Sequence, residues 1–463
     1  MGLFTLASEL VDAILSNLDL HLDLIHFACT CKLAASYVIP RQIEYRTIHI
    51  DRLMPDLWAH LASRPDLARN IRTVRLTRHG EVFPRSWRND SSGDSADEQD
   101  YFSNMTKALG HMSKLQTFIC RHKTGALTDD MYNQPLFSSV VSGKKSLKNL
   151  AIYEAFGLPK WPNLLDFWDT NVDLSTVEYL QLEWRKQLPI PLSSLFPNLE
   201  KLVSLCISGG TQDPVSFNFR APCLRTFIMY EILWSDLHDE IGVFLSNHPS
   251  IENLFWFPSR FTLPLGSLPN LKHAFTSVEF FGALEQSYQA SSGTGLSPFQ
   301  YEIQSLYVES CNLDFLVSLR CLDRGSLRRI RISQRINSPS ELRRFAETFP
   351  MIQWLAIYRA QISCMSWEEW LDILPLFSNL EVIRGLWFLA DVDNKEDKTL
   401  YLAKQVASVC PKLNRIQKLR YPSRQDVIIS RSGGEVLVSY DQEPLVSPRR
   451  SDFDQVEDLI LYQ

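Results

Sequence analysis

The chain has no basic excess. Its 47 Lys and Arg stand against 53 Asp and Glu, a formal net charge of −6 over 463 residues. Proteins held to nucleic acid through its phosphates carry the opposite balance, so no nucleic-acid partner is expected. Long apolar runs are also missing: none approaches the roughly 18 residues that a membrane-spanning helix needs. The first residues have no basic region, and Glu9 and Asp12 interrupt their apolar pattern, which excludes a signal-peptide core. Met1-Gly2 is followed by Leu6 where myristoylation requires Ser or Thr. A soluble protein of the cytoplasm, the nucleus or both is therefore expected, with no membrane partner. Paired cysteines are lacking too. The nine (29, 31, 120, 206, 223, 311, 321, 364 and 410) are scattered, without the two-residue gaps or the His partners of a zinc site. They read as reduced thiols, not as metal ligands or a disulfide framework. Finally, no nucleophile elbow, His-Glu-x-x-His helix, phosphate-binding lysine loop or dinucleotide glycine fingerprint occurs. The ten histidines are spread out, and the carboxylate pair Glu368-Glu369 falls in a helix first turn, where it complements the helix dipole. No catalytic residue, metal or cofactor is expected, and the chain is read as a non-enzyme.

What is present begins at the N-terminus. Leu6, Leu10, Ile14 and Leu18 recur every four residues, with Val11 and Leu15 beside them and Glu9, Asp12 and Asn17 off that face. A second short helix places Leu20, Leu24 and Phe27 inward, and a third runs from Thr30, an N-cap residue, towards Pro40. Three short helices in some 45 residues leave apolar surface uncovered.

Behind them one short phrase returns: an apolar residue, two polar ones, an apolar, a variable, an apolar. Ile71-Arg-Thr-Val-Arg-Leu76, Leu115-Gln-Thr-Phe-Ile-Cys120, Leu147-Lys-Asn-Leu-Ala-Ile152 and Val177-Glu-Tyr-Leu-Gln-Leu182 are early copies. Others begin near Leu202, Leu224, Ile251, Leu271, Ile303, Leu327, Ile352, Leu380 and Leu413. The spacing, about 20 to 40 residues, is that of a strand-plus-helix solenoid repeat. Pro222, Pro249, Pro269, Pro350 and Pro411 each stand two residues before a copy, where proline ends a helix and extends the chain. Ser338-Pro-Ser-Glu341 and Ser366-Trp-Glu-Glu369 are helix starts. A doubly wound sheet would need a Gly-rich phosphate-binding turn after one of these strands, and none is found.

Two segments with known relatives emerge. The Leu6, Glu9-Leu10, Ile14-Leu15, Leu18, Asp23-Leu24, Cys-containing Lys32-Leu33 and Tyr45-Arg-Thr-Ile48 pattern resembles the F-box. That motif attaches substrate receptors to the Skp adaptor of cullin-based ubiquitin ligases. Ala7 stands where the family usually has Pro, which pre-forms the first helical turn. The alternation behind it resembles the leucine-rich repeat in the irregular form common among fungal F-box proteins, although the Asn that usually follows the strand is mostly missing. The resemblance implies an α/β chain in three parts. Residues 1–50 are an adaptor-docking three-helix module. Residues 51–426 are a curved solenoid with a parallel sheet and outer helices. Residues 427–463 read from the residues themselves as a β-hairpin cap and tail, Val427-Ile428-Ile429 and Glu435-Val436-Leu437-Val438 flanking Ser432-Gly433-Gly434. Polar residues 88–100 are expected to form a disordered loop, and Ser/Gly-rich 287–298 a flexible insertion. Adaptor contacts would come from Leu6, Leu10, Ile14, Leu15, Leu18, Leu24 and Leu33. A protein target would meet the residues between the apolar strand positions: Tyr230, Phe255, Phe257, Phe275, Tyr307, Arg329, Arg331, Trp354, Tyr358 and Arg384. Aromatics and arginines of this kind favour recognition of acidic or phosphorylated groups. The implied partners are a Skp-type adaptor, through it a cullin, and a protein substrate for ubiquitin-dependent degradation. A repeat scaffold without any ligase, with the N-terminal helices as its cap, stays open, as does an enzyme whose site is assembled from dispersed residues.

Overall fold

The structure is a computed structural model. It describes residues 6–7, 10–11, 14–15, 21–38, 46–50, 54–77, 95–121, 139–141, 144–153, 174–184, 199–209, 217–230, 238–258, 262–264, 266–292, 300–308, 319–332, 338–357, 366–384, 396–417 and 426–440. The chain divides into two compact units, one of Met1–Leu224 with Glu231–Trp234 and one of Arg225–Tyr230 with Ser235–Gln463.

In the first unit, Leu10, Val11, Ile14 and Leu15 are helical, and α1 (His21–Ala28) and α2 (Lys32–Val38) follow. Thr30 is not the cap of α2. Its hydroxyl donates to the Phe27 carbonyl and closes α1, while Cys31 Sγ accepts the Ala34 N–H at 3.3 Å and starts α2. The unit continues through β1 (Thr47–Ile50), α3 (Pro55–Ser63), α4 (Pro65–Ala68), β2 (Thr73–Thr77), α5 (Ser95–His111), β3 (Thr117–Arg121), β4 (Asn149–Tyr153), β5 (Tyr179–Trp184) and β6 (Ser204–Gly209). Each strand pairs in parallel with the next. The register stacks Ile48, Val74, Phe118, Leu150, Leu180 and Leu205 in one buried row.

The second unit holds β7 (Thr226–Tyr230), α6 (His238–Ser246), β8 (Asn253–Trp256), β9 (His273–Thr276), α7 (Val278–Ser292), β10 (Ser305–Val308), β11 (Arg329–Ile332), α8 (Pro339–Thr348), β12 (Trp354–Ile357), α9 (Trp367–Ile373), β13 (Val382–Arg384), α10 (Glu396–Val409) and β14 (Arg415–Gln417). Here too each strand pairs in parallel with the next, and the core row is Phe227, Leu254, Ala274, Leu306, Ile330, Leu355, Ile383 and Ile416. β15 (Val427–Ser432) and β16 (Glu435–Tyr440) then add antiparallel strands joined through Gly433-Gly434. Both glycines have positive φ, 61° and 87°, as a two-residue hairpin turn demands.

The repeated phrase locates the strands. Every predicted copy, from Ile71 to Leu413, starts at a buried residue two positions before a parallel strand. Before it runs a tight turn: the N–H of Leu115 donates to Met112 O at 3.2 Å, Leu202 to Leu199 O at 3.2 Å, Ile251 to His248 O at 3.2 Å, and Leu413 to Cys410 O at 3.1 Å. His248 fills an apolar position because Phe244 O lies 2.7 Å from its Nδ1. A second device joins neighbouring copies, one carbonyl taking two successive N–H groups. Arg72 O accepts from Gln116 and Thr117 (2.8 and 2.9 Å), and Gln304 O from Arg328 and Arg329 (both 2.9 Å).

Helix starts follow the predicted chemistry. Ser366 Oγ takes the Glu369 N–H at 3.2 Å while Glu369 Oε2 takes the Ser366 N–H at 2.7 Å, a reciprocal capping box. Ser338 Oγ accepts from Glu341 N, with Pro339 in the first turn. Two expected loops prove partly helical. Ser95–Asp100, inside the polar stretch 88–100, opens α5, and residues 88–94 lie outside the described residues. Residues 287–292 close α7, where Gln289 Nε2 donates to Glu285 Oε1 at 2.9 Å one helical turn back; residues 293–298 lie outside the described residues.

Candidate protein-docking surfaces

The N-terminal helices sort their apolar residues into two rows. Val11, Leu15, Leu24, Ala28 and Val38 form a buried cluster, with Phe27 and Tyr37 packed against it. Leu15 and Leu24 are wholly buried, so of the seven residues expected to dock an adaptor these two build the core instead. The helical spacing turns Leu6, Leu10 and Ile14 the other way, 39%, 54% and 41% exposed, and Leu33 of α2 is 49% exposed. Ile25, which the sequence pattern did not single out, is also exposed; its place next to inward Leu24 is the signal that could have found it. Leu18 lies outside the described residues.

Two local features hold this module. The Ala7 carbonyl accepts from Leu10 N at 3.0 Å and Val11 N at 3.2 Å, so a helical turn starts at Ala7 without a proline. Arg46, buried, donates from Nη2 to the Leu15 carbonyl at 2.8 Å, while its own carbonyl accepts the N–H groups of Arg72 and Thr73 at 2.9 and 3.0 Å. One residue thus binds the first helix to the first repeat. A charged donor on a buried carbonyl is among the stronger hydrogen bonds of a fold.

In the second unit the register sets the expected target residues on the sheet face opposite the core row. Phe255, Phe275, Tyr307, Arg331, Ala356 and Arg384 lie side by side across β8 to β13. Exposure is another matter. Phe255, Phe275, Arg331 and Trp354 are buried, which removes them from any ready surface; Phe257, Tyr307, Arg329 and Arg384 keep partial exposure. Large side chains about 4.8 Å apart on adjacent strands cover one another. Phe255 and Phe275 have ring centroids 5.5 Å apart, and Phe275 stacks on Tyr307 at 5.0 Å with 16° between planes. Phe257 sets its edge against Phe255 at 5.1 Å and Tyr307 at 5.8 Å. The Arg331 guanidinium sits 5.0 Å over Tyr307 and that of Arg329 5.1 Å over Trp354, cation–π contacts that hold both guanidinium planes. Tyr230 is in β7 with its side chain outside the described residues, as is all of Tyr358.

The corresponding face of the first unit carries exposed residues among half-buried ones, and Cys206 on it is buried. β1 alternates exposed and buried residues, Arg75 is exposed, and Tyr179 is 50% exposed beside a rung in which Asn149 Nδ2 donates to Thr117 Oγ1 at 2.9 Å. Sequence reasoning passed over Thr47, His49, Arg75 and Tyr179, though the same phrase register marks them.

Several shifted titrations belong to interior groups, while at the surface the hydrogen bond from Arg64 lowers the Asp66 carboxyl. Burial pushes the thiols of Cys120, Cys321 and Cys410 up to about 12, away from the thiolate form. It lowers Lys144 to about 8, an amine that donates to Leu109 O and Gly110 O at the end of α5. Among the described residues no group of three His, Cys, Asp or Glu is placed to hold a metal ion, and no helix is long and apolar enough to cross a membrane.

No protein-family model matches the chain, and no curated protein does. Among solved structures it is similar to the leucine-rich repeat-containing protein LegL7 from Legionella pneumophila, at 10% identity and a TM-score of 0.24, over 82% of this chain and 84% of that one. In both units the strands' own order and register are those of a leucine-rich-repeat-like array.

Proposed function

We propose that this chain is a non-catalytic receptor whose N-terminal helices dock on a Skp-type adaptor of a cullin ubiquitin ligase, while its repeats hold a protein target. The ligase chemistry would belong to the partner subunits. The observation that carries this reading is the division of the first helix into two apolar rows. Val11 and Leu15 complete a core, and Leu6, Leu10 and Ile14 remain as an exposed stripe outside that buried cluster. Such stripes mark interaction sites. The target would be met on the half-exposed Phe257, Tyr307, Arg329 and Arg384, a set suited to acidic or phosphorylated groups.

A second reading, a repeat scaffold with no ligase, draws on Arg46, which ties the first helix to the sheet as an end cap would be tied. Affinity purification of the full chain from its native cells separates the two. Recovery of a Skp-type adaptor, lost on Leu10→Asp with Ile14→Asp, supports the receptor. Absence of the adaptor with the unaltered chain under gentle lysis leaves the scaffold.

A further inference from the structure

We infer that β16 is a self-pairing edge through which two copies of this chain join antiparallel, centred on Leu437. Ser432 and Glu435 close the two-residue Gly-Gly turn and so form a hydrogen-bonded pair. Pairs alternate along an antiparallel ladder, so Ser430–Leu437 and Ile428–Ser439 are hydrogen-bonded, while Arg431–Val436 and Ile429–Val438 are not. The Ile429 N–H points the other way and donates to Asn414 O at 2.9 Å, as this alternation requires. Val436 and Val438 therefore aim their backbone N–H and C=O groups off the outer edge of β16. Among the described residues no strand pairs with that edge, the last in the sheet.

Within β16 itself the usual protections of an edge are missing. Glu-Val-Leu-Val-Ser-Tyr has no Lys, no Pro and no bulge. The hairpin is firmly held: Arg431 donates to Leu413 O at 2.6 Å, Ala407 O at 3.0 Å and Cys410 O at 2.8 Å, so its edge is fixed. Leu437 stands 52% exposed in the middle of the strand.

An occupant of this edge must be an extended strand, and the sequence of β16 is complementary to itself. A two-fold axis at Leu437 exchanges backbone hydrogen bonds between Val436 and Val438 of the two copies. It sets the two Leu437 side chains opposite one another at a non-hydrogen-bonded position, where Cβ atoms come closest. The single charge of the strand, Glu435, then faces Ser439, and the two Glu435 residues lie about 13 Å apart along the ladder, beyond the screening length at physiological salt. Shifting the axis to Val438 would leave each Leu437 against Ser439, so the Leu437 register is favoured. The symmetry is isologous and closes on a dimer.

Sedimentation equilibrium of the full chain tests this, with far-ultraviolet circular dichroism to show that each variant is folded. The unaltered chain is expected to be a concentration-dependent dimer and Leu437→Lys a monomer. In mild oxidant, Leu437→Cys is expected to give a covalent dimer whose cross-link maps by mass spectrometry to position 437 in both copies. A chain that stays monomeric at every concentration overturns the inference, as does a dimer that survives Leu437→Lys.

Discussion

Replacing two leucines five residues apart separates packing from docking in the N-terminal helices. Leu15 is wholly buried in a cluster of five side chains, and truncating a leucine at such a site costs about 2–5 kcal/mol. The cluster is small and can partly collapse, so about 3 kcal/mol is expected for Leu15→Ala. Leu10 is 54% exposed in the folded chain. Full burial of a leucine is worth about 1.5–3 kcal/mol, so the part of Leu10 withdrawn from water accounts for about 1 kcal/mol. Asp adds no more than about 0.7 kcal/mol in helix propensity. The two variants should therefore differ in amide exchange over His21–Val38. Leu15→Ala should speed local opening by about two orders of magnitude, because each 1.4 kcal/mol is tenfold. Leu10→Asp should speed it by no more than about fifteenfold. Adaptor capture should reverse the order for folded protein, with Leu10→Asp abolishing it. Exchange in Leu10→Asp as fast as in Leu15→Ala would refute the two-row division, and so would unchanged exchange in Leu15→Ala.

Other outcomes follow from single residues. A maleimide under native conditions should label Cys29, Cys31 and Cys223, which are exposed, and spare Cys206, Cys321 and Cys410 until the chain is unfolded; mass spectrometry of the labelled peptides reads this directly. Lys144 has its pKa lowered to about 8 in the folded chain against an ordinary value of 10.5. Between these values the unfolded chain holds a proton that the folded chain lacks, so stability rises with pH. The difference in denaturation midpoint between the native chain and Lys144→Met should therefore move in favour of the native chain from pH 8 to 10, and stay flat from pH 6 to 7. Ser366→Ala removes the side-chain arm of a capping box, the Glu369 N–H losing its acceptor, and should cost about 1 kcal/mol in chemical denaturation.

Much of the fold was legible because each repeat carries its own local signals. A buried residue two positions before the strand is an effect of near neighbours in sequence that holds at every copy from Ile71 to Leu413, and it is joined at five copies by proline in the preceding turn and at α8 and α9 by serine at the helix start. Exposure was not legible in the same way. The register placed Phe255, Phe275 and Arg331 on the intended face, but whether that face meets water depends on neighbours one strand away, separated by about 20 to 30 residues of sequence. The same holds for Leu15 and Leu24. Their spacing shows that they are inward or outward partners of Leu10, and only the packing of α1 and α2 decides which. Thr30 and Cys31 show the finest scale of error: two polar side chains side by side, each able to cap, with the helix start falling one residue later than the preference for oxygen caps implies.

The carbonyl that serves two N–H groups of the following repeat has an evolutionary consequence. Every joint of this kind is made by residues immediately before a strand, within a block of about seven positions that ends in the core row. Among the described residues, those between one block and the next take no part in the joint. Chain can therefore be inserted or deleted there without shifting the frame of the strands on either side, since loop closure becomes only slowly more costly with length. The uneven repeat lengths need not be read as decay of an older regular array. They are what selection tolerates when the seam is kept and the stitching between seams is free to vary.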